Sequence, residues 1–163
     1  MMSDVWRAGV LALFGFVFLV SPIGGSSFAD DKSQQFIGTW LGDGRINFKD
    51  GRNEAIKCRS YNTHREAELR LALRCASAAY KIEIRSKLKI EGDVIAGTWE
   101  ERTFNAAGQV TGKVAGKALV LEVNGGGFKG DMTISRTDDL LAYSIETTGI
   151  SLSGVAVDLR RIQ

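Results

Sequence analysis

The chain has 163 residues, with 21 Lys and Arg against 19 Asp and Glu and a formal net charge of +2. So small a charge, mixed in sign along the chain, excludes the polybasic surface that nucleic-acid or anionic-membrane binding relies on. With one histidine and two cysteines, no third ligand falls at metal spacing, and no zinc or calcium motif appears.

The first segment reads as a secretory signal peptide. Arg7 leads an apolar run over residues 8–20, followed by Ser21, Pro22 and small residues ending at Ser27-Phe28-Ala29. That run of about 13 residues is short for a membrane span of about 20, and the small-x-small ending suits cleavage after Ala29. No Cys follows the run, which excludes a lipidated mature N-terminus. The expectation is a signal peptide over 1–29, a single domain over 30–163, and a periplasmic or secreted protein with no stable membrane span after cleavage.

The mature chain reads as strands joined by turns. Residues 30–35 are a polar lead-in. Trp40 opens the first strand, which runs to Phe48, and Asp50-Gly51 supplies a hairpin turn. Ile56, Cys58 and Ser60 share one face of the second strand. A polar turn over 62–66 leads into Leu69, Leu71, Leu73 and Cys75, which alternate with Glu68, Arg70, Ala72 and Arg74. Tyr80, Ile82, Ile84, Ser86, Leu88 and Ile90 then alternate with Lys, Arg and Glu. Period two over this length predicts long antiparallel strands with one dry face and one charged face. Further strands follow over 94–104, 109–116, 118–123 and 128–136, then one carrying Leu141, Tyr143 and Ile145, and a last one over 152–162. Turns fall at 91–93, 105–108, 124–127 and 137–139.

Two cysteines in an exported chain read as a disulfide. If the second and third strands form a hairpin, Cys58 and Cys75 face each other on the inward side. The only proline, Pro22, lies in the signal peptide. Its absence from the mature chain suits a sheet whose backbone donors are nearly all paired. The predicted fold is all-β: an antiparallel meander of roughly eight to ten strands, closed or partly open as a barrel, with one disulfide.

Catalytic machinery is not visible. His64 lies in a polar turn with no nucleophile or orienting acid assigned to it. Glu100-Glu101 and Asp138-Asp139 are adjacent pairs whose members point to opposite faces; a Glu100 turned inward beside Thr98 would be of interest as a buried carboxylate, and that is the minority reading. Gly125-Gly126-Gly127 lacks the residues of a phosphate loop. No cofactor motif is present, and the expectation is a non-enzyme.

Gly38-Thr39-Trp40 resembles the Gly-x-Trp that opens the first strand of the calycin group, the lipocalins and their relatives. The resemblance implies that Trp40 packs across the barrel floor near an Arg from a late strand, Arg160 or Arg161. Small periplasmic protease and lysozyme inhibitors look similar. Two readings follow. In the first, the barrel holds a small apolar or amphipathic ligand among Trp40, Tyr80, Trp99, Phe128 and Tyr143. Small inward candidates, Ser60, Ser86, Ala96, Thr98, Gly112, Gly130 and Ala142, leave it space. In the second, the barrel is filled, and the loops 105–108 and 124–127 dock to an envelope protein or inhibit an enzyme.

Overall fold

The computed structural model describes residues 29–162, so all but the last residue of the expected signal peptide lies outside it. Ten strands follow one another: β1 (Gly38–Phe48), β2 (Asn53–Arg65), β3 (Glu68–Ala76), β4 (Lys81–Glu91), β5 (Val94–Glu101), β6 (Ala106–Ala115), β7 (Ala118–Gly125), β8 (Phe128–Thr137), β9 (Leu140–Thr148) and β10 (Leu152–Arg161). Each pairs antiparallel with the one before it, and β10 pairs with β1, closing the barrel. Closure leaves no open edge, which is how a long meander avoids unpaired backbone groups.

The leucine ladder forms as its alternation demands. Leu69, Leu71, Leu73 and Cys75 are buried on β3, as are Ser86, Leu88 and Ile90 on β4. Cys58 stands opposite Cys75 in the β2–β3 register. Their sulfurs are bonded, with Cα atoms 4.1 Å apart, the close spacing of an antiparallel pair without direct ladder bonds.

Several local expectations are corrected. Residues 30–35 are not a frayed lead-in; α1 (Ala29–Gln34) forms there. It is held by tertiary contact, for Lys32 Nζ donates to Asp93 Oδ1 at 2.6 Å and to the Gly92 carbonyl at 3.2 Å. Strand β2 runs through the expected 62–66 turn to Arg65. The turn expected at 105–108 sits three residues earlier, and Glu101, not Glu100, shares the inward face of Ile95 and Trp99. In the same register Ala96 and Thr98 face outward, and so does Ala142, whose neighbours Leu141 and Tyr143 are buried. Ser60, Ser86, Gly112 and Gly130 face inward as expected.

The β2–β3 turn is built from residues that resist it. Glu66 and Ala67 both take positive φ, 55° and 60°, a backbone that favours Asn followed by Gly in a two-residue hairpin. The double substitution Glu66→Asn, Ala67→Gly should raise stability by roughly 1 kcal/mol in urea unfolding.

The meander gives the barrel two unlike ends. The β2–β3, β4–β5, β6–β7 and β8–β9 turns share one end with the start of β1, the close of β10 and α1. There Trp40, Phe36, Leu69, Leu88, Leu119, Ile134, Leu141 and Leu159 are sealed from solvent. The guanidinium of Arg161 lies 4.3 Å from the centre of the Trp40 ring, and that of Arg136 lies 6.0 Å away. The Arg expected beside Trp40 is therefore Arg161. The other end, ringed by the β1–β2, β3–β4, β5–β6, β7–β8 and β9–β10 connections, is open.

Candidate functional site

The open end holds an apolar cavity of about 510 Å³, within the range of about 300–1,000 Å³ typical of small-molecule pockets. Its wall combines large side chains, among them Phe48, Tyr80, Trp99, Phe128 and Met132, with the smaller Ala106, Thr147 and the bonded Cys75. An eight- to ten-stranded barrel of uniformly large inward residues would be solid; here only the floor half is filled.

Two aromatic pairs stand in the cavity wall. Phe48 and Tyr80 have ring centres 5.3 Å apart, and Trp99 and Phe128 have theirs 5.0 Å apart, both in the favourable range for tilted rings. The Trp99 indole lies against Gly108, where a Cβ would come within 2.7 Å of Nε1, so only glycine lets the ring lie flat on the wall. Trp99 Nε1 donates to the Asn124 carbonyl at 3.4 Å. Phe104 on the β5–β6 turn and Ile150 on the β9–β10 turn expose apolar surface at the rim.

Two charged residues belong to the lining. Arg52 is at the rim, its guanidinium 4.8 Å from the Phe48 ring centre and its Nε 2.7 Å from Asp50 Oδ2. That hydrogen bond from Arg52 holds the Asp50 carboxyl below the usual carboxylate range. Glu101 lies inside, 8% exposed. Its Oε1 accepts from the Glu83 backbone N–H at 2.8 Å and its Oε2 from that of Phe104 at 2.6 Å.

Of the five residues expected around a ligand, Tyr80, Trp99 and Phe128 line this cavity. Trp40 and Tyr143 do not. Trp40 is part of the sealed floor. Tyr143 belongs to a buried polar cluster that the sequence reading misses, because it puts Asn62 in a turn. The Tyr143 hydroxyl and Ser60 Oγ are 2.8 Å apart, and Ser60 Oγ donates to Asn62 Oδ1 at 2.7 Å. Asn62 Nδ2 donates to the Phe36 carbonyl at 3.0 Å, tying the segment before β1 into the floor. Every member is satisfied, which is what makes a buried polar cluster tolerable. Ser60 and Asn62 two residues apart on the inward face of β2 were the available signal.

Burial pushes the Tyr143 hydroxyl above its ordinary value of 10.0, against the opposing hydrogen bonds of Ser60 and Asn62. A raised folded value means the stabilisation is whole below the unfolded value and is lost as pH rises through the folded one. Tyr143→Phe should therefore flatten the decline in urea stability above about pH 10, while costing about 1 kcal/mol at neutral pH for the lost hydrogen bond.

Among the described residues, no grouping of three or more His, Cys, Asp or Glu is placed to hold a metal, and no helix is long and apolar enough to cross a membrane. Of the loops expected to dock a partner, the one at 105–108 lies at 102–105 instead, and the one at 124–127 is shorter, because 124–125 belong to β7.

No protein-family model and no curated protein matches the chain. Among solved structures, Rv2717c from M. tuberculosis is similar over 83% of this chain and 98% of its own, with a TM-score of 0.68 and 16% identity. The S-type phycobiliprotein lyase CPES from Guillardia theta is similar over 86% of this chain and 95% of its own, with a TM-score of 0.57 and 16% identity. At that identity the likeness is one of fold, an antiparallel β-barrel.

Proposed function

We propose that the protein is an exported binding module that holds a small apolar or amphipathic ligand in the open end of its barrel. The observation that carries this reading is the apolar cavity of about 510 Å³ above a sealed floor. Exposed Phe104 and Ile150 at its rim give an arriving apolar molecule something to touch before it enters. A filled barrel acting through a loop has less support, because the interior keeps space and the rim turns are short.

Export is part of the same reading. A signal-like segment precedes the domain, and the Cys58–Cys75 bond suits an oxidising compartment. N-terminal sequencing of protein from the periplasmic fraction should begin at Asp30; recovery of uncleaved chain from the cytoplasm would overturn it. One structural neighbour is named as a lyase, which makes a catalytic use of such a barrel worth weighing. In this cavity no acid, base and nucleophile converge, and our reading remains binding rather than catalysis.

The test is native mass spectrometry of the exported protein together with thermal shifts against fatty acids, lipids and haem. A ligand at 100 times its Kd should add about 2.7 kcal/mol to stability. Protein that carries no small molecule and is shifted by none of these classes would overturn the carrier.

A further inference from the structure

We propose that the mouth cavity selects apolar ligands bearing a cationic group, which the Glu101 carboxylate receives. This deepens the carrier reading and rests on it.

Among the described residues Glu101 is the only carboxylate in the cavity lining, and it is almost wholly buried. Among the described residues no basic side chain pairs with it. The contrast with Glu83 is direct: Arg85, Arg74 and Arg102 approach that carboxylate at 2.7, 3.2 and 3.6 Å on the outer wall. Glu101 has two backbone N–H donors instead, one on each oxygen. A carboxylate offers about four acceptor positions, so two remain unfilled. These donors clamp the corner where β4, β5 and the following turn meet, which explains why the side chain is fixed. They stabilise its charge in part and supply no counter-ion. A buried charge without a counter-ion is costly, and a ligand cation brought beside it recovers that cost.

The surrounding wall fits the same chemistry. Trp99, Phe128 and Tyr80 present aromatic rings to the cavity, and ring faces attract cations. The one cation in the lining, Arg52, is a poor competitor for Glu101 and a poor anchor for a ligand anion. It sits at the rim, its side chain 65% exposed, with Asp50 already at 2.7 Å.

Three probes of equal chain length test this by calorimetry: dodecylammonium, dodecanol and dodecanoate, each below its micelle concentration. Dodecanol reports the cavity itself. Dodecylammonium is expected to bind at least about tenfold more tightly than dodecanoate. The preference should survive about 0.5 M salt, because a buried charge is little screened. Glu101→Gln keeps the size and one acceptor oxygen; it should bring the dodecylammonium-to-dodecanoate ratio to near unity, and continued binding of dodecanol shows that the cavity is still formed. Should Glu101→Gln fail to fold, the wild-type ratio and its salt dependence decide. Equal binding of all three probes, a preference for dodecanoate, or a preference abolished by salt would overturn this selectivity while the carrier reading stands. Failure of all three probes to bind would remove the carrier and the selectivity together.

Discussion

Trp40→Ala is expected to cost about 3–5 kcal/mol, the range for truncating a buried tryptophan, and to lower the melting temperature by roughly 10–20 °C in a domain of this size. The side chain has no solvent exposure and is the largest of the fully buried residues. The Arg161 guanidinium stacks above its face, and the same Arg161 Nη1 lies 2.8 Å from where a Cβ on Gly38 would be. Removing the indole therefore empties the floor and leaves Arg161 without the surface it packs on. Trp40→Phe should cost much less, about 1–2 kcal/mol. It keeps most of the apolar body and removes Nε1, a buried donor with no hydrogen-bond partner, whose desolvation already counts against the fold. Both variants, while folded, should bind a mouth ligand as the wild type does, since the floor is sealed from the cavity. Urea and thermal unfolding would check the ranking. A loss below about 1 kcal/mol for Trp40→Ala would mean that the floor is not organised around this residue.

Reduction of the disulfide is expected to have the next largest effect, about 3 kcal/mol in the chain-entropy model for a closed loop of about 18 residues. The bond joins two strands that already form a hairpin, with Cys58 and Cys75 directly in register. It therefore acts chiefly on the unfolded chain, by removing conformations in which β2 and β3 are apart. A Cys58→Ala, Cys75→Ala variant should fold to the same barrel and melt roughly 10 °C lower. Although Cys75 also lines the mouth cavity, the double variant should bind an apolar ligand with little change, because alanine keeps that wall apolar. An unaltered melting temperature on reduction would show that the hairpin's ladder alone holds the two strands in the unfolded ensemble.

The antiparallel barrel was legible because two of its determinants are local. Alternation at Leu69, Leu71, Leu73 and Cys75 assigns a strand and its inward face without reference to anything distant. The Cys pairing follows once two such strands are joined by a short turn. Boundaries were less legible where a turn lacks glycine. Glu66-Ala67 and residues 102–105 turn the chain with ordinary residues, so the second turn reads three residues late. Glu101 rather than Glu100 is inward because it shares the face of Ile95 and Trp99 on β5.

The candidate site was legible in part. Tyr80, Trp99 and Phe128 read as inward aromatics, but so do Trp40 and Tyr143, and nothing local separates the two groups. Whether an inward ring lines a cavity or plugs a floor depends on its height along the barrel. Height depends on the stagger of all ten strands and on which end the chain termini close.

The order of residues along the chain determined by itself that these strands exist, which of their faces is dry, and that two sulfurs meet, since each rests on period-two geometry and near neighbours. Only the tertiary structure decided that one end is sealed by Trp40, Phe36 and the Asn62 cluster while the other stays hollow around Glu101. Filling and emptiness are properties of the space that ten strands enclose jointly, and no stretch of chain carries that volume alone.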